Sequence, residues 1–131
     1  MALARETDAT LVKPLEGAVI RRFTAGSTIE AGEAVAMASD GAIDPADATS
    51  ITLGMALGIA LGPNDYVAND RVDVVTYGPV VCMTGATIGD VVYATDTAGE
   101  PSHTAGTKTA ILGMPESATV LYVNPQWVSQ S

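Results

Sequence analysis

The residues able to do chemistry are few and lie far apart. His103 is the only histidine and sits in a polar loop, Pro101-Ser102-His103-Thr104-Ala105-Gly106. A histidine base needs a nucleophile and an orienting acid, and no spacing selects partners for it among the many Ser, Thr and Asp residues. It reads as a solvated loop residue. Cys82 is the only cysteine and lies between Val81 and Met83. A reactive thiol needs an electropositive, partly exposed setting, so Cys82 reads as a small core residue. One Cys and one His exclude an internal disulfide and a Cys/His zinc site. Asp40, Asp44 and Asp47, like Asp65 and Asp70, do not follow the alternating ligand spacing of a calcium loop. They suit turns and caps. The Gly85–Gly89 stretch lacks the Lys-Ser/Thr of a phosphate loop. These patterns imply no cofactor, no metal and no enzyme.

Charge carries more information than any of these residues. Fifteen acids against six bases give a formal charge of −9. Such a body argues against nucleic acid as a partner, because phosphate contacts need clustered Lys and Arg. The bases are concentrated at the front: residues 1–22 hold Arg5, Lys13, Arg21 and Arg22 against three acids, and the remainder holds Arg71 and Lys108 against twelve. Arg5, Lys13, Arg21 and Arg22 are therefore the candidate contacts for a partner. Trp127, the only Trp, follows the last apolar run and is the candidate anchor at a subunit interface. No apolar run reaches the ~18 residues of a membrane span, and the first residues lack the apolar centre of a secretory signal. The expected setting is a reducing cytoplasm or a particle assembled there.

The elements that must position these residues are strands and turns. Hydrophobic residues make up 47% of the chain but aromatics only 5%, which predicts a thin core of Ala and Val. Thirteen Gly and seven Pro punctuate it. Arg71-Val72-Asp73-Val74-Val75 alternates as a half-buried strand does, and Gly78-Pro79 is expected to break it. Asp44-Pro45-Ala46-Asp47 has the order of a capped helical turn. The run Ile51–Leu61, with glycines at 54 and 58, is too glycine-rich for a soluble helix and reads as strand. Turn signals every 8–12 residues predict an all-β sandwich or barrel.

The chain also contains an internal copy. Ile88-Gly89-Asp90-Val91-Val92-Tyr93, the turn Asp96–Glu100 and Leu112-Gly113-Met114 echo Ala31-Gly32-Glu33-Ala34-Val35, the turn Asp40-Gly41 and Leu53-Gly54-Met55. The two pseudo-repeat units span 28–55 and 87–114. Around them the reading is an N-terminal arm over 1–25, a β-domain over 26–124 and a C-terminal tail over 125–131.

This order of segments resembles the small capsid cement, or head decoration, proteins of tailed bacteriophages. The likeness spans residues 17–123, ends in the closing Thr119-Val120-Leu121-Tyr122-Val123, and is strongest in Gly89-Asp90-Val91-Val92-Tyr93 with Leu112-Gly113 downstream. It implies a non-enzymatic structural protein of the virion, bound to the outside of the expanded capsid. The implied partners are the major capsid protein and further copies of the chain, as a homotrimer. The N-terminal segment carrying Arg5, Lys13, Arg21 and Arg22 would contact the shell. Another β-rich phage component, of tail or baseplate, is the alternative; a ligand-binding β-module fits less well because aromatics are scarce.

Overall fold

Alternation at Arg71–Val75 does start a strand, but the strand does not stop at Gly78-Pro79. The computed structural model describes residues 3–50, 53 and 55–127. In chain order the strands are β1 (Ala4–Arg5), β2 (Lys13–Pro14), β3 (Val19–Thr24), β4 (Ala34–Met37), β5 (Ile43–Pro45) and β6 (Ala56–Ala60). They continue as β7 (Arg71–Val81), β8 (Met83–Thr84), β9 (Val92–Ala94), β10 (Pro101–Ser102), β11 (Ala110–Pro115) and β12 (Val120–Trp127). The only helical turn among the described residues is a 3-10 turn at Ala9–Leu11, capped by Asp8. The protein is all-β, built on a curled antiparallel sheet of ten strands.

β7 runs through Gly78-Pro79 because its environment suits both residues. Gly78 takes φ +103°, and a Cβ there would press on the backbone of Gly17 and Ala18. Pro79 lacks an N–H, but its carbonyl still accepts from Leu15 N at 3.0 Å. The expected helical turn at Asp44–Asp47 is also absent. Ile43–Pro45 is instead an edge strand on β4, and Pro is tolerated where no partner needs its N–H.

The sheet repeats one strand arrangement, in a register that differs from the sequence match. The main sheet order is β10-β9-β11-β12-β7-β6-β4-β5, so β5-β4-β6-β7 and β10-β9-β11-β12 are the same four-strand arrangement. Val35 faces Gly58 and Ala36 faces Ala56, leaving Leu57 as the extra residue of a bulge. Val92 faces Gly113 and Tyr93 faces Ile111, with Leu112 as the extra residue. Leu57-Gly58-Ile59 is thus the partner of Leu112-Gly113-Met114. The sequence match had selected Leu53-Gly54-Met55; Gly54 lies outside the described residues, and Leu53 packs at the margin of the core.

Two cores result. β3, β7, β6, β4 and β5 form a series of paired strands that closes when Ala25, just after β3, bridges Ile43 and Gly26 N donates to Ile43 O at 2.8 Å. Inside it lie Ala25, Ile29, Val35, Ile43, Ala60, Val72 and Val74. The larger core joins the two halves: Ala34, Ala36, Ala56, Ile59 and Val75 meet Val92, Ala94, Leu112, Leu121 and Val123. Small side chains let the layers approach closely.

The N-terminal segment belongs to this body and is not an arm. β1 pairs with β8, β2 with the end of β7 and β3 with its beginning. Val12 is buried in the larger core. The mixed polarity of residues 1–16 concealed this, since the segment is anchored by backbone pairing and one buried Val rather than by a periodic apolar face. Cutting the chain at residue 16 therefore removes part of the core.

Gly58 and Gly113 give the sharpest stability test. A Cβ at Gly58 would overlap the Val75 carbonyl oxygen, and one at Gly113 the Tyr122 carbonyl oxygen. Gly58→Ala and Gly113→Ala are each expected to cost more than about 2 kcal/mol, because backbone cannot yield as a flexible side chain can. Thermal and urea unfolding would measure it. Loss of less than about 0.5 kcal/mol at both sites would show that the strands are not packed this closely.

Candidate interaction surface

Some of the exposed apolar residues adjoin one another across β11, β12, β7 and β3. Met114, on β11, stands directly opposite Tyr122 on β12. With Val91, Ile111, Gly113, Asn124 and Gln126 they line a groove of about 190 Å³. The Tyr122 ring meets Tyr77 of β7 edge to face, with centroids 5.4 Å apart. Tyr77 in turn stands opposite Val19 of β3. Val19, Tyr77 and Met114 are 49%, 46% and 43% exposed, so the stripe is open to solvent along its length. Contiguous exposed apolar area is a common feature of docking surfaces.

The basic residues divide into two kinds. Lys13 and Arg21 are exposed and, like Arg71 and Lys108, make no ion pair among the described residues; Arg21 lies over the Phe23 ring at 5.3 Å. Arg22 is exposed and bonds Asp73 at 2.9 Å across the strand pair. Arg5 differs from all three. Its side chain is only 9% exposed and is held by Glu100 at 2.6 Å, Glu30 at 3.3 Å and the Ala31 carbonyl at 3.1 Å. Burial alone would lower its pKa, but the bond and charge of Glu100, with Glu30 and Glu33, raise it overall. Arg5 is an internal clasp joining the N-terminal segment to the two acidic turns. The sequence grouped it with Lys13, Arg21 and Arg22 by sign and position, and nothing in its spacing revealed the three acids.

Glu33 beside this clasp was not singled out by sequence. It is 8% exposed, and its Oε1 accepts from Glu30 N at 2.8 Å. Burial raises its pKa, opposed by the Glu30 N–H and Arg5 and reinforced by the charges of Glu30 and Glu100. Trp127 closes β12, its backbone opposite Ala110; its side chain lies outside the described residues. The tail expected from residue 125 thus begins as strand.

The remaining candidates take structural roles. Cys82 is buried, which pushes its thiol up to about 12 and suits the core role read from its neighbours. His103 is not a free loop residue: Nε2 accepts from Thr87 N at 3.0 Å, and Nδ1 lies 3.1 Å from Val91 O. A proton on Nδ1 satisfies both contacts, so the ring fastens its loop to the Gly89 turn. Asp47 and Asp70 accept from nearby backbone N–H groups, as turn residues do. Asp96 accepts from Thr107 N and Oγ1, and these bonds lower its pKa. Compared with protein-family models and with curated proteins, the chain matches none.

The acid beside the clasp makes stability depend on pH. A carboxyl whose pKa is raised on folding favours the protonated native state. The resulting cost is absent below the ordinary Glu value of 4.5 and is complete above the raised folded value. Glu33→Gln keeps an acceptor for Glu30 N without the charge. It is expected to exceed the wild type in stability at neutral pH by under about 1 kcal/mol, with the difference vanishing near pH 4. Urea unfolding at both pH values checks this; a variant less stable at neutral pH would show that the Glu33 charge is needed by Arg5.

Proposed function

We propose that the protein is a structural component of a tailed-phage virion that binds the outer surface of the expanded capsid and bridges major capsid subunits. The observation that carries this reading is the placement of free cations on a strongly acidic body. β2 and β3 both pair with β7, so that Lys13 and Arg21 lie on strands of the rigid sheet rather than on a floppy terminus. Neither has an acid partner on its own chain among the described residues. A fixed pair of unsatisfied cations, amid fifteen acids, suits an acidic surface on a large partner and orients the docking.

The resemblance of residues 17–123 to capsid cement proteins supplies the identity of that partner. A body bridging several subunits adds modest contacts at many equivalent sites, and their number gives strong retention. Symmetry favours a homotrimer at threefold positions. The reading places the protein on the capsid exterior, with host cytoplasm as the compartment of assembly. It assigns no catalytic step, metal or cofactor, and no role to nucleic acid or membrane.

Co-sedimentation of the purified chain with phage heads tests the reading. Expanded heads are expected to take up the protein to saturation and unexpanded heads to take up little. Lys13→Glu with Arg21→Glu should lower affinity for expanded heads about tenfold or more and weaken its salt dependence. Absence of binding to expanded heads under low salt would overturn the proposal.

A further inference from the structure

The two halves of the molecule treat equivalent faces differently. In the first half, Ala34, Ala36, Ala56, Ile59 and Val75 are buried in the core between the halves. The strand registers make their equivalents Val91, Tyr93, Ile111, Met114 and Tyr122. These larger apolar residues form the outer face of the second half, none of them fully buried. The same face that a β-surface of this chain covers once is therefore left open the second time.

The open face continues into a stripe with unlike ends. One end is the groove of Val91, Ile111, Met114 and Tyr122. Asp90 is exposed beside Val91, and Glu116 is exposed two residues beyond Met114. The other end is Val19, half exposed on β3, a strand that also carries the unpaired Arg21. One end is a groove and the other is the exposed Val19 of β3. We propose that this stripe is a self-association face, in which the groove of one copy receives the Val19 end of the next.

Two observations favour a second copy as occupant. A β-surface of this chain already covers the equivalent face in the first half. The two ends of the stripe also differ, and a contact between unlike ends that repeats head to tail closes into a ring when its rotation allows. This deepens the homo-oligomer part of the capsid reading and rests on it for its setting, although the contact itself can be measured without heads.

Sedimentation equilibrium of the full chain over a wide concentration range tests the assignment. The wild type is expected to rise in mass to a closed oligomer. Met114→Lys and Val19→Asp should each weaken association about tenfold or more, with circular dichroism unchanged because both side chains are already close to half exposed. A chain carrying both Met114→Cys and Val19→Cys should form intersubunit disulfides linking more than two copies, whereas neither single variant should link more than two. A wild type that stays monomeric at every concentration overturns the proposal, as does an oligomer indifferent to both charged variants. If the wild type is monomeric and Met114→Lys abolishes binding to heads, the stripe docks on the shell. If the oligomer behaves as expected but heads are not bound, the capsid reading fails and the self-association face stands.

Discussion

β7 is hydrogen-bonded to a strand on each edge along most of its length. At Val74 and Val75 its neighbours are β3 and β6, and at Val80 and Val81 they are β2 and β12. Every other part of the body depends on that arrangement. The first half closes around one end of β7 and the second half extends from the other, so neither is a separable unit. A strand used this way must satisfy both edges and bury side chains on both faces. Val72 and Val74 enter one core, and Val75 and Val80 enter the other. That explains why alternation, which marks a strand with one wet face, fades after Val75.

A small, valine- and alanine-rich core can hold together only if the layers come close. Gly58 and Gly113 permit this by removing the side chain where β6 crosses Val75 and β11 crosses Tyr122. Each is followed by a residue directly opposite the neighbouring strand, Ile59 in one half and Met114 in the other. The two halves share the backbone device but not the burial. Ile59 is interior and Met114 is open to solvent, and this difference is the source of the apolar stripe.

Much of the fold was legible because it rests on short-range signals. The Gly89-Asp90 turn, the alternation of Arg71–Val75 and the spacing of the two copies each reflect local backbone chemistry. Longer-range relations were not legible. The pairing of Ala4 with Thr84, or of Lys13 with Val81, joins residues far apart whose types give no hint of each other. The register of the first copy was misread because Leu53-Gly54-Met55 and Leu57-Gly58-Ile59 offer nearly the same pattern, and only the close approach to Val75 selects the second. At the surface, sign and position grouped Lys13, Arg21 and Arg22 as candidate contacts. They could not separate these from Arg5, which is enclosed by Glu30 and Glu100. His103 was likewise readable only once its loop lay against Thr87 and Val91.

The resulting surface has two distinct features, an apolar stripe and a pair of cations fixed on β2 and β3. On this account the first joins copies to one another and the second faces an acidic shell. The most direct measurement is a cryo-electron microscopy map of expanded heads saturated with the protein. The account predicts this β-body in density on the capsid exterior, with Lys13 and Arg21 toward acidic side chains of the shell and Met114 of each copy against Val19 of the next. Heads without density for the protein, or bodies attached with Lys13 and Arg21 facing solvent, would contradict it.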